Sequence, residues 1–427
     1  MNGEDADERY SLLQRKFDRH VTGAPASPVL LRILKLLYSG EDAALAANVP
    51  IRPVTLEALS GRLALPPETL DERLTGLARR GLVIDFMSGG KRYFSLPPVV
   101  IGFFEFTFMR ARDDLPMAEL ARLFDRYMKE DDRFARSVFR GRTQLGRSLV
   151  REESLPEGDH SEILDWERAS AIVGGAKTVG LSLCACRHKA GHLEKACGRP
   201  VETCLSFDFA AETLIRSGMA RPIPVPEAFG ILERCKESGM AQTGDNVKRN
   251  VSYICNCCGC CCGMMEAIRL FRIHPAIVTS NWIAKVDPAK CRGCGKCAEA
   301  CPVGIIAMKD RGEGKGRKRL AEPDRAACLG CGVCHSACRT GALRMAGRER
   351  KVLVPETAFD RIVSMAVERG KLAGLLFEDP EKLSHRALGR MLGILERSLP
   401  VKAALAVEPL RSVFLKTFLG GLRSILK

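Results

Sequence analysis

Cys291-x-x-Cys294-x-x-Cys297-x-x-x-Cys301-Pro302, followed by Cys328-x-x-Cys331-x-x-Cys334-x-x-x-Cys338, is the stretch on which the reading of this chain turns. One spacing occurs twice, and chance does not compete with that. Gly293, Gly295, Gly330 and Gly332 stand inside the two runs, where a chain must bend tightly and turn its amide N–H groups inward. Working outward, the 427-residue sequence holds 19 Cys, every one of them between Cys184 and Cys338. The start, Met1-Asn2-Gly3-Glu4-Asp5-Ala6-Asp7-Glu8, is acidic and polar, the reverse of an export leader. A reducing, cytoplasmic setting is therefore expected, in which close cysteines serve as ligands and not as disulfides. Hydrophobic residues at 46% and charged residues at 27% exclude collagen-like, mucin-like and wholly disordered chains. The length implies roughly two to four domains.

Residues 285–345 resemble the bacterial two-cluster ferredoxins, whose signature is this doubled spacing. The resemblance implies two [4Fe-4S] clusters with crossed ligands: Cys291, Cys294, Cys297 and Cys338 for one, Cys328, Cys331, Cys334 and Cys301 for the other. Two departures stand out. Arg339 occupies the place of the usual proline after the last cysteine, where a cation would favour the reduced cluster. Lys309 to Arg319 enlarges the connection between the halves into a basic loop, read either as a solvated hairpin tip or as a docking site for an acidic redox partner. Cys331-Gly332-Val333-Cys334-His335 also fits the c-type haem attachment pattern, but its cysteines already belong to the doubled spacing, so haem is not expected.

Two further cysteine groups precede this stretch. Cys184, Cys186, Cys197 and Cys204 form the first; Cys255, Cys257, Cys258, Cys260, Cys261 and Cys262 form the second. Soft thiolates beside a ferredoxin-like domain point to one or two additional iron–sulfur clusters shared between the groups. Zinc is one alternative, helped by His188 and His192 one helical turn apart beside Cys184 and Cys186, and redox-active dithiols or spare thiols are another. If the second group is extended, alternation sends Cys255, Cys257 and Cys261 one way and Cys258, Cys260 and Cys262 the other. Cys235, alone in a helix-like stretch, reads as a buried small residue.

Nearer the start, Pro28 to Ser39, Thr55 to Leu63 and Pro67 to Arg80 read as helices, and Leu82 to Leu96 as a hairpin about Ser88-Gly89-Gly90. That order resembles the winged helix-turn-helix fold over residues 28–96. The third helix, however, opens with Glu68, Asp71 and Glu72, which would face phosphates, and this argues against DNA binding and for a packing or protein-docking role. Residues 97–160 read as a helical spacer, with Val99 to Met109 buried and Met117 to Met128 amphipathic. After residue 350 the pattern is helical again, at Ala358 to Arg369, Pro380 to Ser398 and Pro409 to Lys427. The last of these could pack on the cluster domain or lie on a membrane surface.

The architecture so read is α+β and multidomain: a polar leader (1–27), a winged-helix-like domain (28–96), a helical spacer (97–160), a cysteine-rich module (161–284), a two-cluster ferredoxin-like domain (285–350) and a helical tail (351–427). Net charge is +15, much of it with and after the cysteines, where it can offset anionic clusters. No apolar run reaches the length of a membrane span. No glycine-rich nucleotide fingerprint, P-loop or catalytic triad is present, so neither flavin nor nicotinamide is expected. The function that follows is a cytoplasmic, anaerobic iron–sulfur electron carrier, or a subunit of a larger redox complex, in preference to a free-standing enzyme. A redox-sensing transcription regulator and a reductase with a catalytic cluster are the alternatives.

Overall fold

The computed structural model describes residues 3–155, 165–311 and 318–376. Those residues form two compact units. The first takes residues 1–104, 123–143 and the chain from 355 onward; the second takes 105–122 and 144–354, and so holds every cysteine.

In the first unit, helices run over Gly3–Asp18, Pro28–Leu37, Gly40–Asn48, Leu56–Leu63 and Pro67–Arg79. The strands β1 (Val54–Thr55), β2 (Ile84–Ser88) and β3 (Lys91–Ser95) make an antiparallel sheet in the order β1-β3-β2. The three expected helices and the hairpin are present, while Gly40–Asn48 is an additional helix that apolar periodicity did not mark. Ser39 starts it by accepting the Asp42 amide, a capping bond that an Ala-rich nine-residue segment with a weak apolar stripe needs. Leu30, Ile33, Leu34, Leu70, Leu74 and Leu77 are fully buried, the stripes that helical spacing of apolar residues predicts, and Phe94 of β3 is buried as well. Arg92 ties the hairpin to the helix Pro67–Arg79: its guanidinium donates to Asp85, Asp71 and Thr75.

The stretch 97–160, expected to be helical throughout, contributes to both units and is not a plain spacer. Residues 100–102 are extended, because Pro97 and Pro98 lead in and Gly102 interrupts, so only Phe104–Phe108 is regular helix there. Met117–Lys129 is the expected amphipathic helix, with Leu120, Leu123, Phe124 and Tyr127 buried. Gly146–Ser148, in contrast, is a strand, β4.

That strand is the edge of a six-stranded antiparallel sheet in the second unit. Its other members are β5 (Val179–Leu183), β6 (Glu202–Phe207), β7 (Arg221–Ile223), β8 (Ala241–Asp245) and β9 (Tyr253–Cys257), in the order β4-β8-β9-β6-β5-β7. The helices Ala169–Gly174 and Val225–Glu237 supply its core with Val173, Ala228, Ile231, Leu232 and Cys235, the last fully buried as its helical position suggested. The chain then passes into two small sheets, β10 (Trp282–Val286) with β13 (Leu343–Gly347), and β11 (Ile306–Arg311) with β12 (Lys318–Pro323). Trp282, Leu343 and Met345 pack there around the cysteines. Lys309 and Arg311, expected in a basic loop, lie on β11 and pair with Glu322 across the hairpin. Residues 312–317, and the helices expected at Pro380 to Ser398 and Pro409 to Lys427, lie outside the described residues.

In the first unit, the helix Ala358–Arg369 starts from a capping box at Thr357 and Asp360. Its last turn is held by ionic and polar bonds. Glu368 accepts the amides of Arg142 and Thr143 at 2.8 Å each. Buried Arg369 donates to the carbonyls of Arg140 and Val21 at 2.9 and 2.8 Å. Replacing Arg369 with Met should cost about 2–3 kcal/mol, because carbonyls that it satisfies are left buried and unpaired. Thermal unfolding followed by circular dichroism should show the loss, with iron content unchanged, since all cysteines belong to the other unit.

Candidate functional site

The doubled cysteine runs lie on the loops and short helices between the two small sheets. The helices Lys296–Ala300 and Val333–Ser336 carry Cys297 and Cys334, and each starts from a left-handed glycine, Gly295 and Gly332. Gly293 and Gly330 are left-handed as well. At Gly330 the backbone leaves no alternative: an added Cβ would stand 2.2 Å from Ser280 Oγ and 2.3 Å from the Trp282 carbonyl.

Cys301 from the first run and Cys328, Cys331 and Cys334 from the second line a single cavity with about 320 Å³ of empty space, mouth included. Its walls are Ala284, Val303, Ile305, Ile306, Leu329 and Met345. Four thiols converging in an apolar chamber is the donor set that a cubane cluster takes. Cys291 and Cys338 are the thiols that face Cys297, so the last cysteine of the second run returns to the first. Cys301 thus stands with three cysteines of the second run, and Cys338 with Cys291 and Cys297 of the first, while Cys294 is exposed.

The surroundings favour thiolates where protein donors reach them. Burial pushes the Cys338 thiol up, but the Thr340 hydroxyl and the amides of Leu343, Thr340 and Ala342 outweigh it and hold the thiol below its usual range. The Cys331 thiol, with little such help, is pushed up to about 12 by burial. A metal cluster removes that conflict, because coordination replaces the proton. Arg339, expected to place a cation near the first cluster, is exposed, while Thr340 Oγ1 lies 3.5 Å from Cys338 Sγ.

One cation near that cavity is Arg151, a residue with no sequence motif to mark it. Its amide donates to the Cys331 carbonyl at 3.2 Å. Its buried guanidinium donates to Ser336 Oγ at 2.7 Å and to the carbonyls of Lys236 and Met240 at 2.8 and 3.0 Å. Burial lowers its proton affinity, while Glu153 and then the thiolates of Cys331 and Cys334 pull in the charge-preserving direction.

The ten remaining ligand candidates separate into two sets. Register places Leu205 of β6 opposite Ile254 of β9, and so Cys204 opposite Cys255. Cys255 neighbours Cys204 and Cys257, Cys257 neighbours Cys262, and Cys262 neighbours Cys186. Cys184, at the end of β5, interacts electrostatically with Cys186 and Cys204 and completes a group of six. The neighbouring thiols of Cys255 and Cys262 hold the Cys257 thiol below its usual range against the opposing effect of burial.

The other set is Cys197, Cys258, Cys260 and Cys261, whose sulfurs all lie within 4.8 Å of one another. The alternation expected along the second group therefore fails beyond Cys257. The strand ends there, and the chain turns through Gly259 into the helix Gly263–Phe271, which exchanges the places assigned to Cys261 and Cys262. Arg187, buried on the helix Ala185–Gly191, stands between the sets. It donates to Cys258 Sγ at 3.4 Å, Thr203 Oγ1 at 2.7 Å and the Asn256 carbonyl at 3.0 Å. Burial opposes its charge, but Cys184, Cys258 and Cys257 outweigh that and raise its proton affinity. His188 and His192 join neither set: His188 Nδ1 lies 2.8 Å from the Phe108 carbonyl, and the two rings pack against each other.

Residues 290–342 match the 4Fe-4S dicluster domain. Over these residues the chain thus carries a ferredoxin-type 4Fe-4S domain. Its similarity to curated proteins includes 32% identity over 97 residues to a subunit of the Na(+)-translocating ferredoxin:NAD(+) oxidoreductase complex of Acetobacterium woodii. That alignment takes 22% of this chain and 26% of the relative, so the chain spans about a quarter of the curated protein it matches. No solved structure matches the chain. Among the described residues, no helix is long and apolar enough to cross a membrane.

Replacing Arg151 with Met should lower the potential of one cluster by on the order of 50 mV, because removing a nearby cation disfavours the extra negative charge of the reduced form. A redox titration followed by electron paramagnetic resonance checks the sign as well as the size.

Proposed function

We propose that this chain moves electrons through a pair of [4Fe-4S] clusters, held by Cys291, Cys294, Cys297 and Cys338 and by Cys301, Cys328, Cys331 and Cys334. The observation that carries the reading is the cavity in which one thiol of the first run meets three of the second. A third cluster is assigned to the six thiols Cys184, Cys186, Cys204, Cys255, Cys257 and Cys262. Its place is close to the pair: Gly259, two residues after Cys257, packs on the Pro302 backbone so tightly that a Cβ would stand 2.1 Å from the Pro302 carbonyl oxygen. Pro302 directly follows Cys301, so thiol-bearing loops of the two regions touch.

Work within a larger redox assembly, as one of its subunits or as a partner, is supported by the name of the Acetobacterium woodii relative, which belongs to an oxidoreductase complex. A cytoplasmic, anaerobic setting suits exposed clusters and free thiols, and a protein redox partner, an acidic one included, suits the net charge of +15. The domain of residues 28–96, read as a winged helix, serves packing or protein docking. Its third helix exposes Glu68 and Glu72, and Asp71 is engaged with Arg92.

Anaerobically purified protein should carry about eight irons on residues 291–338 alone, with matching acid-labile sulfide. Replacing Cys291 and Cys328 together with Ala should remove about that amount; a wild-type content of four irons or fewer would overturn the assignment. Duplex DNA should bind more weakly than about 1 μM near physiological salt and without sequence preference. Tight, selective binding in an anisotropy titration would put the redox-sensing regulator first.

A further inference from the structure

The tetrad Cys197, Cys258, Cys260 and Cys261 differs in kind from the other thiol groups, and the difference is one of size. Cys197 Sγ lies 3.7 Å from Cys258 Sγ, Cys260 Sγ lies 3.8 Å from Cys261 Sγ, and all four sulfurs fall within 4.8 Å of one another. Four thiolates bonded to one tetrahedral ion at ~2.3 Å must stand about 3.8 Å apart. Four thiolates around a cubane stand wider, about 6 Å apart, because a tetrahedron of irons lies between them. The chain supplies its own control. Among the described residues, the tetrad is the group of cysteines, histidines and carboxylates that closes to this extent, whereas the eight ferredoxin cysteines, all described, do not.

We propose that these four cysteines hold a single zinc ion, distinct from the iron–sulfur clusters. Four sulfurs and no oxygen or nitrogen make a soft, closed set, which favours zinc over the harder divalent ions and leaves no position for substrate. The site's charge, two negative after coordination, is met by Arg187 at 3.4 Å from Cys258 Sγ and by Arg199 at 3.9 Å from Cys260 Sγ. Such outer donors are what a tetrathiolate ion requires in a half-buried setting. Arg199 is fixed in turn by the Ser238 carbonyl at 2.9 Å. The ion fastens the loop after the helix Ala185–Gly191 to the turn between β9 and the helix Gly263–Phe271. It thereby holds in place the turn whose Gly259 packs on Pro302. Zinc has no redox chemistry, so this centre positions the clusters and does not pass electrons.

The test uses the full chain, purified without oxygen from medium containing both metals, with zinc, iron and sulfide counted per chain. One zinc is expected. The double variant Cys260→Ser, Cys261→Ser should lose it and keep its iron and sulfide. Loss of about four irons with sulfide would make the tetrad a cluster site, and loss of one iron without sulfide would make it an iron tetrathiolate; either overturns the proposal, as does zinc retained in the variant. Should the variant fail to accumulate, zinc-edge X-ray absorption on the wild type decides. Four sulfurs at ~2.3 Å support the site, and oxygen or nitrogen neighbours, or no zinc, refute it. A wild type with one zinc but too little iron would sink the electron-transfer reading and leave this one standing.

Discussion

Two buried guanidinium groups make the thiol-rich unit possible. Thiolates gathered in an apolar interior repel one another, and each costs several kcal/mol to desolvate unless a positive charge or a metal compensates. Arg151 and Arg187 are among the largest fully buried side chains in the chain. Arg151 reaches the backbone carbonyls of Lys236 and Met240 while lying beside Cys331 and Cys334. Arg187 lies between the six-thiol group and the tetrad and bonds Thr203 on β6. Each is fixed by neutral acceptors and left with its charge directed at sulfur. That explains why a buried cation is tolerated at both places: thiolates supply its counter-charge at Arg187, and Glu153 together with the Cys331 and Cys334 thiolates supplies it at Arg151.

The same logic sets the topology. Cysteines far apart in sequence meet because an antiparallel sheet sets their strands side by side, β5, β6 and β9 being neighbours in the order β9-β6-β5. Strands alternate their side chains, so Cys255 and Cys257 share a face, and Cys204 lies opposite the first of them. The helix that follows β5 then adds Cys186 and Arg187, and the helix after the cysteine-rich turn begins at Cys262. The strand β4, from the stretch that looked like spacer, closes the far edge and delivers Arg151 to the ferredoxin-like region three residues later.

The ferredoxin-like region was legible because its ligand spacing is local: three cysteines of each run are neighbours in sequence, and the glycines between them mark the bends. The helices of residues 28–80 and the hairpin at Ser88 were legible from apolar periodicity and turn residues. Gly40–Asn48 was not, since its apolar stripe is weak and its start rests on one Ser39 bond. Strand β4 was invisible for another reason. Gly146, Arg147 and Ser148 have no strand-like alternation, and what makes them a strand is the partner Thr243–Asp245, about a hundred residues away. The alternation expected for the six thiols of the second group failed at Cys261 and Cys262, because it presumes that an extended chain continues, whereas the strand ends at Cys257 and a helix starts at Gly263.

What remains is why one module should combine a wide thiol group with a tight one. Electron transfer between clusters depends on fixed separation, and the turn Cys258 to Cys262 is short, glycine-containing and free of a large apolar anchor. Its apolar packing consists of Cys258 and Cys261 against Ala190, with Cys186 and Cys197 at the edge, beside the contact of Gly259 with Pro302 and an Arg269 bond to the Gly259 carbonyl at 2.6 Å. So little apolar surface supplies only part of the few kcal/mol that ordering such a turn costs. A four-coordinate ion can supply the rest, because it crosslinks four backbone positions at once, and it does so without adding a second redox couple beside the first. The tight set thus provides the rigidity, and the wide set, whose cysteines sit on strands and helix starts already fixed by the sheet, is free to take the electronic role.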